Sequence, residues 1–234
     1  MSGAPARRLS RGSRPRDRTR SILAVVPSSD SPTTVTDDGV TPPSKLTASQ
    51  AARRDRVIRA ALSLGKTGGY EAVQMRAVAA EAAVALGTIY RYFSSKDHLL
   101  AAAQVLWVRE LEQRVTKRPP NGDTTSERVV SVLRRATRAM ENEPKLSAAL
   151  VTAISSPDPG AAACQRDMSE SMSSILGVAL GDDFDPAFKA QVTNTLGYVW
   201  LAALIGWVNG WSGFDRVGDE VETATHLVLD RFDG

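Results

Sequence analysis

The chain has a single cysteine, Cys164, and only two histidines, His98 and His226. One cysteine excludes an intramolecular disulfide framework and a cysteine-rich zinc site, and two histidines leave little for a histidine-based metal centre. No cofactor or metal is therefore expected. Long apolar runs are also missing. The longest nearly unbroken one, Leu196 to Val208, has 13 residues, against the roughly 18 to 20 that a membrane-spanning helix needs. The first residues are polar and arginine-rich, without the apolar core of a secretory signal, so a cytoplasmic protein with no membrane partner is expected. Catalytic signatures are scarce too. There is no glycine-rich phosphate loop and no H-E-x-x-H, and GWSGF at Gly210 to Phe214 misses the last glycine of a G-x-S-x-G elbow and its strand-to-helix setting.

What is present is an uneven distribution of charge. The 234 residues carry a net charge of +3, but residues 1–46 hold +4, residues 47–100 hold +4 and residues 101–234 hold −5. A basic first hundred residues attracts a polyanion, and the acidic remainder repels one. Nucleic acid is the leading class of partner.

Residues 1–46 are rich in Arg, Ser, Pro, Thr and Asp with almost no apolar periodicity, and are expected to form a disordered basic tail. Its arginines, Arg7 to Arg20, either lie along phosphate or are simply solvated. From Thr47 onward the pattern is helical. Thr47 with Gln50 makes a capping box before a helix carrying Val57, Ile58, Ala61 and Leu62 on one face, with Gly65, Gly68 and Gly69 as its stop. Short helices are expected at 74–82 and 86–92, joined by Ala83 to Ala85. Ser94 with Asp97 fits another capping box, opening a long helix that stops before Pro119 and Pro120, and Thr124 with Glu127 fits a third. Pro144, Pro159 and Pro186 stand at first helical positions, the last two behind Asp158 and Asp185 as caps. These place helices at 144–155, 159–180 and 186–212, followed by one at 217–231. The fold class is all-α, with nine helices and no sheet.

The segment Val73 to Leu100, VQMRAVAAEAAVALGTIYRYFSSKDHLL, reads as a helix-turn-helix. Ile89 and Phe93 form an i, i+4 pair facing inward, leaving Thr88, Arg91 and Tyr92 outward and Tyr90 at the edge. Hydroxyls, a guanidinium and phenols on a basic helix match phosphate oxygens and base edges. The plain alternative is an α-hairpin with solvated polar residues.

GTIYRYFSSKDHLL, with AVAAEAAVAL before it, resembles the N-terminal domain of the TetR family of bacterial transcriptional regulators over about 50 residues. That resemblance implies a nine-helix architecture, with a helix-turn-helix domain at 47–100 and a ligand-binding and dimerisation domain at 101–234. It also implies DNA contacts from Arg76, Thr88, Tyr90, Arg91, Tyr92 and Lys96, with Thr88 and Arg91 in the groove and the tyrosines and Lys96 on phosphate. The chain departs from the family at Ala83, Ala85 and Leu86, where Gly, Ser or Thr, and a polar residue are common. Within the family, the run ALGTIYRYFSSKDHLL, the basic tail and YVWLAALIGWV before a final amphipathic helix resemble actinobacterial repressors of cholesterol and steroid catabolism.

The helix from Pro186 is apolar nearly all round and must be buried on more than one side. Pairing of 186–212 and 217–231 with a second copy as a four-helix bundle supplies that cover, so a homodimer is expected. Trp107, Met140, Met168, Met172, Trp200, Leu204 and Trp207 are candidates for an apolar effector pocket, or else plain core. Arg134, Arg135 and Arg138 form either its basic entrance or a solvated face. Three functions are left: a homodimeric repressor that an apolar effector, such as a steroid or its coenzyme A thioester, releases from a palindromic double-stranded DNA operator; a non-specific DNA-binding protein; and an all-α enzyme.

Overall fold

The computed structural model describes residues 40–233. Among them the fold is all-α, with nine α-helices and no strand: α1 (Ala48–Ala72), α2 (Met75–Glu81), α3 (Leu86–Tyr90), α4 (Lys96–Lys117), α5 (Thr125–Glu141), α6 (Pro144–Ile154), α7 (Pro159–Leu180), α8 (Pro186–Val208) and α9 (Asp215–Leu229). No helix among the described residues is long and apolar enough to cross a membrane.

The helix ends follow local side-chain chemistry. Thr47 and Gln50 close a reciprocal capping box on α1, as Thr124 and Glu127 do on α5. Asp158 and Asp185 accept the first amides of α7 and α8, each followed by proline at the first helical position. At α5 the first two amides are also satisfied, from far along the chain. Thr125 N donates to Asp233 Oδ1 at 2.8 Å and Ser126 N to Asp233 Oδ2 at 3.1 Å, placing a carboxylate at the positive end of the helix.

Four expectations are corrected. The glycines do not stop the first helix at Gly65. Gly65 is helical and buried, where a Cβ would lie 2.8 Å from Leu146 Cδ1, so it serves close approach to α6. The break comes at Gly69, with φ +68°, and helical residues resume to Ala72. The cap of α4 is Ser95, not Ser94, because Ser95 Oγ accepts from His98 N at 3.0 Å. The apolar helix ends at Val208, four residues before Ser212. Gly210, with φ +72°, lets Gly210 N reach Trp207 O and Trp211 N reach Gly206 O, the two bonds of a Schellman stop. Finally, of the segment expected to lack structure, residues 1–39 lie outside the described residues, but Pro43–Lys45 forms a 3-10 turn. Just before it, Thr41 N donates to Arg91 O at 2.8 Å.

Apolar side chains gather into two cores. One joins α1 to α3 with the first half of α4, most of α6 and the start of α7, through residues such as Ile58, Ile89, Phe93, Leu99, Leu150 and Ala161. The other joins the second half of α4 with α5, α7, α8 and α9, through Leu133, Ile175, Leu196, Trp200 and Val217. Met168 packs against both. The helix-turn-helix thus shares its core with α6, and Lys66 on α1 pairs with Glu143 at 2.6 Å across that joint.

Candidate nucleic-acid interface

The turn between α2 and α3 is built on an alanine in the left-handed region. Ala83 has φ +52°. Ala83 N donates to Ala80 O and Val84 N to Ala79 O, a Schellman geometry in which glycine carries no steric cost. α3 then begins at Leu86, behind an N-cap residue, Ala85, that offers no side-chain cap. Local chemistry holds this helix weakly, so packing positions it. Ile89, Tyr92 and Phe93 are buried, and Phe93 lies under the Arg54 guanidinium of α1 at 4.9 Å.

Tyr92 corrects the expectation of an outward phenol. Its side chain is 1% exposed, whereas that of Tyr90 is 48% exposed. α3 ends at Tyr90, and Tyr92 N and Phe93 N both bond to Ile89 O, so the chain tightens and turns two neighbouring rings inward. The Tyr92 hydroxyl accepts a long 3.4 Å bond from Arg91, whose guanidinium carbon lies 5.4 Å from the Tyr92 ring centroid. Tyr92 is therefore packed inward beside Arg91.

The other expected contacts differ in exposure. Arg76, Tyr90 and Arg91 are exposed and Thr88 is half-buried. Gly87 is exposed, and a Cβ there would meet nothing within 4 Å, so the protein's own packing does not require glycine at this point. Lys96 is half-buried, with its ammonium 3.5 Å from the Tyr70 ring centroid and donating to Tyr70 O at 3.3 Å. Tyr70 in turn donates to Asp97 Oδ1 at 2.5 Å; burial first, then this bond, pushes the phenol pKa up to about 12. Sequence reasoning missed this clamp, although an aromatic residue at the end of α1 before a Lys-Asp pair is its visible trace.

His98 lies where the helix-turn-helix meets α7. Its Nδ1 accepts from Ser94 N at 3.2 Å, its ring stands edge-on to Phe93, and Gly160 approaches so closely that a Cβ there would lie 2.4 Å from Nδ1. Burial lowers its pKa, and nearby Asp158 partly opposes that.

The expected pocket residues do not converge. Trp107 and Met140 line a cleft of about 560 Å³ between α1, α4, α5 and α6. Trp200 and Leu204 are buried core, and Trp200 Nε1 donates to Thr137 Oγ1 at 3.1 Å. Trp207 packs edge-on against Phe214, and Met168 and Met172 are half-buried packing residues. Arg134 is bound to Glu222 of α9, while Arg135 and Arg138 are exposed on α5, and none of the three lines this cleft. Trp200, Leu204, Trp207, Met168 and Met172 serve packing, which composition alone does not distinguish from a cavity lining.

Comparison with known proteins accounts for this arrangement. Residues 57–103 match the family described as bacterial regulatory proteins, tetR family, and residues 122–228 match the tetracyclin repressor-like C-terminal domain. The HTH-type transcriptional repressor KstR of Rhodococcus jostii is 38% identical over 180 residues, 77% of this chain and 84% of the relative. The KstR of Mycolicibacterium smegmatis is 32% identical over 77% of this chain and 88% of its own. A crystal structure of a TetR transcriptional regulator from Rhodococcus sp. RHA1 superposes with a TM-score of 0.70 at 27% identity, covering 79% of this chain and 99% of that one. With both halves of the architecture matched, the chain belongs to the TetR family of bacterial transcriptional regulators.

Proposed function

We propose that the protein is a cytoplasmic, homodimeric repressor that reads a palindromic operator and leaves it when an apolar effector binds, with no catalytic step. The observation that carries the DNA reading is the division of α3, which buries Ile89 and presents Gly87, Tyr90 and Arg91. A glycine that its own fold does not need leaves room for a phosphate backbone to approach. Arg91 is the base-reading residue, Tyr90 and Lys96 hold phosphate, and Arg76 and Thr88 complete the contact surface. The arginines of residues 1–39 add non-specific attraction to phosphate.

An unpartnered apolar face supports dimerisation. Tyr198 on α8, Trp211 at its end and Leu227 on α9 are 72%, 77% and 81% exposed. Large apolar side chains left open on adjacent helices mark a surface that a second copy covers. Two recognition helices about one DNA turn apart then read matching half-sites. Residues 47–100 serve as the DNA-binding part and 101–234 as the effector and dimer part. The likeness to KstR repressors, together with the motifs shared with repressors of steroid catabolism, supports a steroid or its coenzyme A thioester as effector.

Selection of bound duplexes from a random library tests this. Enrichment of one palindrome is expected, and Arg91→Ala should relax discrimination at one base pair per half-site by about 1 to 3 kcal/mol. Recovery of unrelated sequences with no palindrome would make the protein a non-specific DNA binder. Titration of steroid acids and their thioesters against the selected complex then identifies the effector.

A further inference from the structure

Residues 40–46 precede both α1 and the stretch at 57–103 that matches the family, yet the chain here lies against the end of the recognition helix. Thr41 N donates to Arg91 O at 2.8 Å. Arg91 is the C-cap of α3, where a backbone carbonyl has no partner within the helix. Its own amide reaches Gly87 O at a longer 3.3 Å and its guanidinium reaches the Tyr92 hydroxyl at 3.4 Å, so the shortest of these three ties comes from outside the helix-turn-helix. The segment that brings this donor is stiff and anchored downstream. Pro42 is extended, with φ −64° and ψ 147°, Pro43 opens the 3-10 turn, and proline confines Thr41, the residue before it, to extended backbone. Lys45 N donates to Pro42 O at 3.0 Å and Leu46 N to Pro43 O at 3.3 Å, and Leu46 packs against the first core just before the α1 cap at Thr47. Two consecutive prolines leave the unfolded segment little freedom to lose, so one hydrogen bond at its upstream end can hold it in place.

We infer that residues 40–46 are a strap whose Thr41 amide fixes the backbone of Arg91, which makes Thr41 a positioning residue for base reading. The inference rests on Arg91 as the base-reading residue, and Thr41 acts through it. A guanidinium that reads a base edge makes two parallel hydrogen bonds in one plane. α3 has no side-chain cap at its start to fix its orientation, and a small rotation of the Arg91 backbone carries the end of a long side chain off that plane. The cost falls on discrimination, because the strap makes no hydrogen bond to Tyr90 or Lys96, the phosphate holders. The strap also links the start of α1, at its Thr47 cap, to the end of α3.

The experiment measures binding of the full chain to its selected palindrome and to the same duplex with the Arg91-read base pair changed in both half-sites. Thr41→Pro removes the amide donor and should lower the ratio of the two affinities roughly 2- to 10-fold, with the thermal unfolding temperature unchanged because no core side chain is altered. Thr41→Ala keeps the N–H and should retain the native ratio. In an Arg91→Ala background Thr41→Pro should change the ratio no further, the signature of two residues acting through one contact. An equal loss from both Thr41 variants, a further loss in the Arg91→Ala background, or uniform weakening on both duplexes overturns the strap. If Arg91→Ala relaxes one base pair and Thr41→Pro leaves the ratio native, the strap alone fails. If Arg91→Ala leaves discrimination intact at every base pair, the base-reading assignment of Arg91 fails and the strap with it, so the two failures are distinguishable.

Discussion

The helix starts of the helix-turn-helix and most of those of the C-terminal domain are built differently. In the C-terminal domain α5, α7 and α8 each begin with a side chain that accepts a backbone amide, while α6 and α9 do not. In the motif neither α2 nor α3 has such a cap, and their joint rests on a left-handed alanine. Three of the five C-terminal helices are specified where they start, whereas the recognition helix is specified by what it rests on. Exposed residues of α3 can therefore serve DNA without serving stability, and the orientation of α3 follows that of α1 and α4.

The sharpest way to break this contrast is to remove what α3 rests on. Tyr92→Ala should cost about 3 to 5 kcal/mol, the range for losing a buried aromatic, and should abolish operator binding at temperatures where Tyr90→Ala stays folded. Urea unfolding of both variants measures this, and a Tyr92→Ala cost below that of Tyr90→Ala would return Tyr92 to the surface. Repairing the motif should narrow the contrast. Ala83→Gly should stabilise by about 0.5 to 1 kcal/mol, because glycine takes the left-handed position without strain. Ala85→Ser should add about 1 kcal/mol by capping α3. Calorimetry on the free protein reads both, and no gain from either would mean that tertiary packing already absorbs the local cost.

The smallest effect concerns pH at the junction of the two regions. Burial holds His98 neutral and lowers its pKa from 6.5. As pH falls the unfolded chain takes up that proton before the folded one. This contribution to stability is complete above about pH 6.5 and is lost as pH falls below it. Unfolding of the native protein and His98→Gln at about pH 7.5 and 5.5 checks the sign, since the variant should lose less stability on acidification.

Much of the fold was legible because capping is local. Thr47 with Gln50, Thr124 with Glu127, Asp158 and Asp185 mark helix starts within three or four residues, and all four act as caps in the structure. Tyr92 was legible but misread: it stands three residues after Ile89, a spacing that places it on the same face as that buried side chain, and the structure buries Ile89, Tyr92 and Phe93 together. The cleft was legible only through Trp107 and Met140. Its other walls come from α1 and α6, whose meeting brings together residues separated by some eighty positions, and no periodicity in either helix records that encounter.

The carboxylate of Asp233 at the head of α5 also bears on how the molecule is made. Ser126 leaves the ribosome 107 residues before the side chain that binds its amide. At about 5 to 20 residues per second that is a delay of roughly 5 to 20 s, during which α5 can have its own Thr124 and Glu127 box but not its carboxylate. The helix can start early on local chemistry, yet its docking against the end of α9 must wait until Asp233 has been made.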